Sequence, residues 1–130
     1  MPTDPVWKNT NMRGEDVGNA AFSLITGASQ ELPPKYKMTV NEILAASDTP
    51  IGWNDFYLRH MQGDGVTVIK EYGPLRFWVD GFERANPVGL VFHGEVDNQD
   101  RNSLVQLWAV ESTGALVPRS GTVLFRIESE

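Results

Sequence analysis

The chain has 130 residues, of which 41% are apolar and 22% charged, with a formal charge of −6 and no cysteine. Such a length fits one domain, able to bury ~65–70% of its unfolded surface without staples. The missing cysteines exclude disulfides, thiolate nucleophiles and Cys-ligated zinc or iron–sulfur centres, and an acidic chain whose eleven basic residues are scattered argues against a nucleic-acid partner.

Residues 1–14 hold Pro2, Pro5 and Gly14 among polar residues and read as an arm, docked at most through Val6 and Trp7. The stretch has no apolar h-region, and no run in the chain approaches a helical membrane span. A cytoplasmic, reducing compartment and no membrane partner are the expectation, with the source left open.

Residues 15–61 read as the helical part. Val17, Ala20, Ala21, Leu24 and Ile25 share a helical face over 15–26, with Glu15 and Asp16 in the first turn and Gly27 as a stop. Thr39 and Glu42 have the spacing of a capping box, ahead of a short helix that buries Val40, Ile43 and Leu44. Thr49-Pro50 then opens a third helix carrying Ile51, Trp53, Phe56, Tyr57 and Met61, with His60 near its C-terminal end as a dipole partner.

Residues 66–128 read as an antiparallel sheet of about five strands, near 66–72, 75–82, 88–96, 103–111 and 121–128. Gly73-Pro74 joins the first two as a tight link, and the polar 97–102 turn joins the third and fourth. A meander with one apolar face then collects Val66, Val68, Leu75, Phe77, Val79, Val88, Leu90, Phe92, Val105, Leu107, Val123, Phe125 and Ile127. The reverse face carries Ile69, Glu71, Arg76, Trp78, Asp80, Val91, His93, Glu95, Gln106, Trp108, Arg126 and Glu128, with Arg76 across from Glu71 and Glu95, Trp78 beside His93, and Trp108 facing Val91.

The fold class this implies is α+β, with N-terminal helices packed on a curved, mainly antiparallel sheet that could close as a cone or barrel. The helices-then-sheet order resembles the nuclear-transport-factor-2-like cone. The resemblance implies architecture and no function.

Two tryptophans interleaved with polar groups make the reverse face a candidate binding face, formed by Trp78, His93, Gln106, Trp108 and Arg76. Its chemistry is thin. His93 is the best acid–base candidate, with Asp80 and Glu95 able to orient it. Asp97 and Asp100, with Asn98 and Asn102, crowd oxygen ligands into one turn, but a polar hairpin loop explains them more simply. No Ser-elbow, phosphate-loop, H-E-x-x-H or EF-hand spacing is present, so no metal or cofactor is expected. The leading reading is a non-catalytic structural or protein-binding module that self-associates, a homo-oligomeric bacterial, phage or viral accessory subunit. The alternatives are a small cone-shaped enzyme or carrier for a small apolar ligand using His93 with Asp80 and Glu95, and an acidic inhibitor or immunity-type protein.

Overall fold

A computed structural model describes residues 6–16, 22–47, 53–78, 81–94, 102–111 and 119–130. Among them there is no helix. Nine strands run β1 (Val6–Asp16), β2 (Ser23–Leu32), β3 (Tyr36–Ser47), β4 (Trp53–Met61), β5 (Val68–Trp78), β6 (Gly81–Ala85), β7 (Val91–His93), β8 (Ser103–Glu111) and β9 (Arg119–Ser129). The α+β expectation is therefore wrong, and the chain is all-β. The arm is mostly strand β1, and the three expected helices fall on β1 and β2, β3, and β4.

Bulges explain the misreading. In β3 the buried residues are Met38 and Val40, then Ile43 and Ala45. The pairing with β9 slips between Val40 and Glu42, so Asn41 is an extra residue without an opposite number. One inserted residue turns a spacing of two into a spacing of three, and the i, i+3 signal of a helix appears inside a strand. In β2 the buried Ile25 and Ala28 lie within a second irregularity, between Leu24 and Ser29, where Gly27 takes φ 95°, a conformation open to glycine. Along β4, Phe56, Leu58 and His60 are buried at every second position, and Met61 next to His60 is buried as well. The Thr39 and Glu42 side chains do not cap a helix. Thr39 lies between Arg126 and Val91 in the sheet, and Glu42 meets Arg84 at 3.2 Å.

The strands form two antiparallel sheets that do not close into a barrel. One is ordered β1-β9-β3-β6, with β7 pairing β3 further along; the other is β2-β8-β4-β5. The pairs β1–β9, β2–β8, β3–β6 and β4–β5 are nested in sequence, as though a long two-stranded ribbon had been folded over itself. That is the connectivity of a jelly roll. The meander and the cone with helices as a lid are accordingly replaced.

Strand positions in the C-terminal half fare better than their pairing. β8 spans 103–111 as expected, and β9 contains 121–128. Gly73-Pro74 is not a hairpin link, because β5 runs through it. The two residues bulge out opposite Tyr57, between the pairs Phe56–Leu75 and Leu58–Tyr72, across a cis peptide bond. A Cβ at Gly73 would lie 2.9 Å from both the Phe56 carbonyl oxygen and the Tyr57 ring, so only glycine fits. The β4–β5 turn is closed instead by Asp64, whose carboxylate accepts from the Val66 and Thr67 amides at 2.8 and 2.9 Å.

The core fills the space between the sheets. Met38, Val40, Ile43, Phe92, Val123, Phe125 and Ile127 come from one side and Ile25, Leu32, Phe56, Leu58, Val105 and Leu107 from the other. Of the expected apolar face, Leu90, Phe92, Val105, Leu107, Val123, Phe125 and Ile127 are buried, whereas Val66, Val68 and Val88 are exposed. Val79 lies outside the described residues.

Candidate functional site

Among the described residues, the outer face of the second sheet gathers aromatic, charged and amide side chains in one cluster. Side chains alternate along a strand, so with Phe56, Leu58, Val105, Leu107 and Ala109 directed inward, Asp55, Tyr57, Arg59, Gln106, Trp108 and Val110 point outward. Register then sets neighbours: Tyr57 beside Trp108, Arg59 beside Gln106, and Asp55 beside Val110. On the other flank of β4, Arg59 faces Glu71 and Asp55 faces Arg76. Phe22, one residue before β2, folds over this surface.

The centre is Arg59. Its guanidinium carbon lies 4.9 Å from the Phe22 ring centroid and 4.8 Å from that of Trp108. The two rings stack at 5.1 Å, and Tyr57 meets Phe22 edge-on at 5.0 Å. The Arg59 Nε is buried and sits 3.1 Å from Glu71 Oε1. The N–H is not aligned for a hydrogen bond, so the contact is an ion pair. The Trp108 Nε1–H donates to Gln106 Oε1 at 2.9 Å, and the Gln106 amide donates onward to Ser29 Oγ at 3.4 Å. Beside this cluster, Phe22, Tyr57, Glu71 and Val110 line an open groove of about 300 Å³.

The residues singled out from sequence divide between two sheets. Gln106 and Trp108 are together and hydrogen-bonded, and Arg76 shares their outer face. In the register Arg76 lies opposite Asp55, while Glu71, on the same strand, lies opposite Arg59; Arg76 makes a two-pronged contact with Asp55, Nε to Oδ1 at 2.8 Å and Nη2 to Oδ2 at 2.9 Å. Trp78 closes β5 opposite Trp53. His93 belongs to the first sheet, beside Lys37, so it is not a neighbour of Trp108. It is exposed and contacts the Glu130 carboxylate through Nδ1. Asp80, Glu95, Asp97 and Asp100 lie outside the described residues. Asn102 donates to Glu31 Oε2 at 3.0 Å. Among the described residues no group of three or more His, Asp or Glu side chains could hold a metal ion.

The sequence reading does not single out Phe22, Tyr57 and Arg59 as site residues, because it expects helices over 15–26 and over the segment that forms β4. The signal was present in Phe56-Tyr57-Leu58-Arg59-His60, where buried and half-buried positions alternate.

The other histidine is a core residue. His60 is 2% exposed, with its ring 5.6 Å from that of Phe92 in the opposite sheet. Ser103 Oγ donates to the Leu32 carbonyl at 3.1 Å, so it accepts from the His60 Nε2–H at 2.8 Å, which fixes the tautomer by the network. Burial, with a smaller push from Lys70 and then His93, lowers the His60 pKa to about 4.

No protein-family model matches the chain, and no curated protein does. Among solved structures it is similar to the Gt strain of infectious bursal disease virus, with a TM-score of 0.45 and 13% identity over 96% of this chain and 32% of that one. It is similar also to T=1 particles derived from infectious bursal virus, at 0.45 and 14% over 96% and 31%. A third likeness is to the naturally occurring empty particles of cowpea mosaic virus, at 0.41 and 6% over 100% and 85%. The chain spans roughly a third of the length of the bursal-virus chains. Similarities this low transfer no residue role; the jelly-roll assignment rests on the strand order above.

Proposed function

We propose that this chain is a non-catalytic structural module that self-associates through the flank where β5 and β7 approach each other. The observation that carries this reading is three exposed valines on the two segments that Lys70 links. Val66 is 77% exposed, Val68 36% and Val88 97%. Val68 begins β5, Val66 lies in the turn before it and Val88 in the turn before β7, while Lys70 crosses between the sheets, donating to the Val91 carbonyl at 3.1 Å and lying over the Phe92 ring. Lys70 thus plugs one point of a flank whose apolar rim stays open.

The edges at β1 and β2 are more polar. β1 presents Thr10, Asn11, Arg13 and Glu15 around its middle, and β2 is bulged and carries Ser29, Gln30 and Glu31. Burying an exposed valine in an apolar contact is worth roughly 1.5 kcal/mol or more, so a second copy seated on this flank would gain from burying all three. The bursal-virus and cowpea-mosaic-virus chains belong to particles; assembly is their property, and for this chain it stays a proposal resting on its own flank.

Sedimentation velocity across the micromolar range tests it. The expected result is an associated species that grows with concentration and persists in high salt, because the contact is apolar. A Val66→Asp/Val88→Asp variant with unchanged circular dichroism should be monomeric. A wild-type chain that stays monomeric throughout, or a double variant that associates equally well, would overturn the reading.

A further inference from the structure

We propose that the groove on the outer face of the second sheet binds a neutral saccharide through one pyranose ring or two. Its floor and walls supply two kinds of surface. Phe22 remains 39% exposed although it stacks on Trp108 and meets Tyr57, so ring surface still reaches solvent, and Val110 extends the apolar wall. Tyr57 brings a hydroxyl, which both donates and accepts, and Glu71 brings a carboxylate whose side chain is 41% exposed.

Charge decides between ligand classes. A cation drawn to Glu71 would approach Arg59, 3.1 Å from the same carboxylate. An anion drawn to Arg59 would have to pass Glu71 and reach a guanidinium that is only 20% exposed and faced by two rings. The two charges cancel locally, so neither ion is favoured. What remains is an apolar ring surface rimmed by hydroxyl and carboxylate oxygens. A pyranose is its complement, with a C–H face to lie on Phe22 and equatorial hydroxyls to hydrogen-bond with Tyr57 and Glu71. The volume of about 300 Å³ sits at the small end of ligand sites, which run from roughly 300 to 1,000 Å³, and admits a mono- or disaccharide. An open groove with few polar anchors implies weak binding, in the millimolar range, strengthened by avidity if several copies present the site together.

The groove is built on β4, β5, β8 and the approach to β2, so it does not depend on self-association through the valine flank. The test is a titration of the full chain, followed by amide and aromatic NMR shifts. The probes are the methyl glycosides of glucose, galactose and mannose, N-acetylglucosamine and their β-linked disaccharides, with choline and inorganic phosphate as charged controls. At least one sugar should give saturable shifts centred on Phe22, Tyr57, Trp108 and Val110. Phe22→Ala should weaken that binding about tenfold, and Tyr57→Phe, which keeps the ring, severalfold. Either variant should leave the remaining spectrum folded. No saturable sugar binding, sugar binding that both variants leave unchanged, or saturable binding at the groove by a charged control alone would overturn the proposal.

Discussion

The Arg59 guanidinium carbon stands 4.8 Å from the centroid of the Trp108 ring, and their strands are direct neighbours in the second sheet. Neither residue is complete without the other's surroundings. The ring, with Phe22, covers a cation whose Nε is buried, while Glu71 neutralises it and Gln106 satisfies the indole N–H. The cluster so joined forms an interlocked patch on the outer sheet face.

Removing either partner should therefore cost stability, and the two losses should not add. Arg59→Lys keeps the charge but loses the planar group that reaches both rings, at about 1 kcal/mol. A double-mutant cycle between Arg59→Ala and Trp108→Phe, read from urea unfolding, should give a coupling of about 0.5–2 kcal/mol. Simple additivity would show that the contact is geometric and contributes no energy.

Acid should loosen the sandwich from its centre. The folded-state pKa of His60 is lowered to about 4 from an ordinary 6.5. The unfolded chain binds the proton first, so the stabilising contribution is complete above pH 6.5 and falls as the pH drops through that window, levelling off below about 4. Its size is on the order of 3 kcal/mol. Urea midpoints measured from pH 7.5 to 4 should decline, and His60→Gln should flatten the part of the decline due to this residue. An identical pH profile in the variant would assign the acid sensitivity elsewhere.

Deleting Asn41 should be far more damaging than its exposed position suggests. The residue is the extra member of the β3 bulge. Without it, strict alternation would send either Met38 and Val40 or Ile43 and Ala45 to the wrong face. The expected outcome is loss of near-ultraviolet circular dichroism and of a cooperative thermal transition. Asn41→Ser, which keeps the residue count, should cost at most about 1 kcal/mol.

The same bulge shows how far the chain could be read without coordinates. Within β8 and β9 the apolar residues recur at every second position, and Val105, Leu107, Val123, Phe125 and Ile127 face inward as that pattern says. Gln106 and Trp108 follow on the reverse side for the same reason. In β2 and β3 an inserted or shifted residue breaks the alternation and imitates the three-to-four spacing of a helix. Good helix formers such as Glu42, Leu44, Ala45 and Ala46 agree with the false signal, because propensity is local and burial between two sheets overrides it.

Alternation is a property of a strand by itself, so composition, the inward faces of β8 and β9 and the placing of Gln106 and Trp108 on one side were set by the amino-acid order alone. Which strand lies beside which was decided only when two sheets closed on a shared core. That step joins β1 to β9 and β2 to β8 across most of the chain. It also separates His93 from Trp108 and brings Phe22, Arg59 and Glu71 together. Partners so distant in sequence are selected by the total apolar surface that can be buried at once, a quantity that no short window of residues contains.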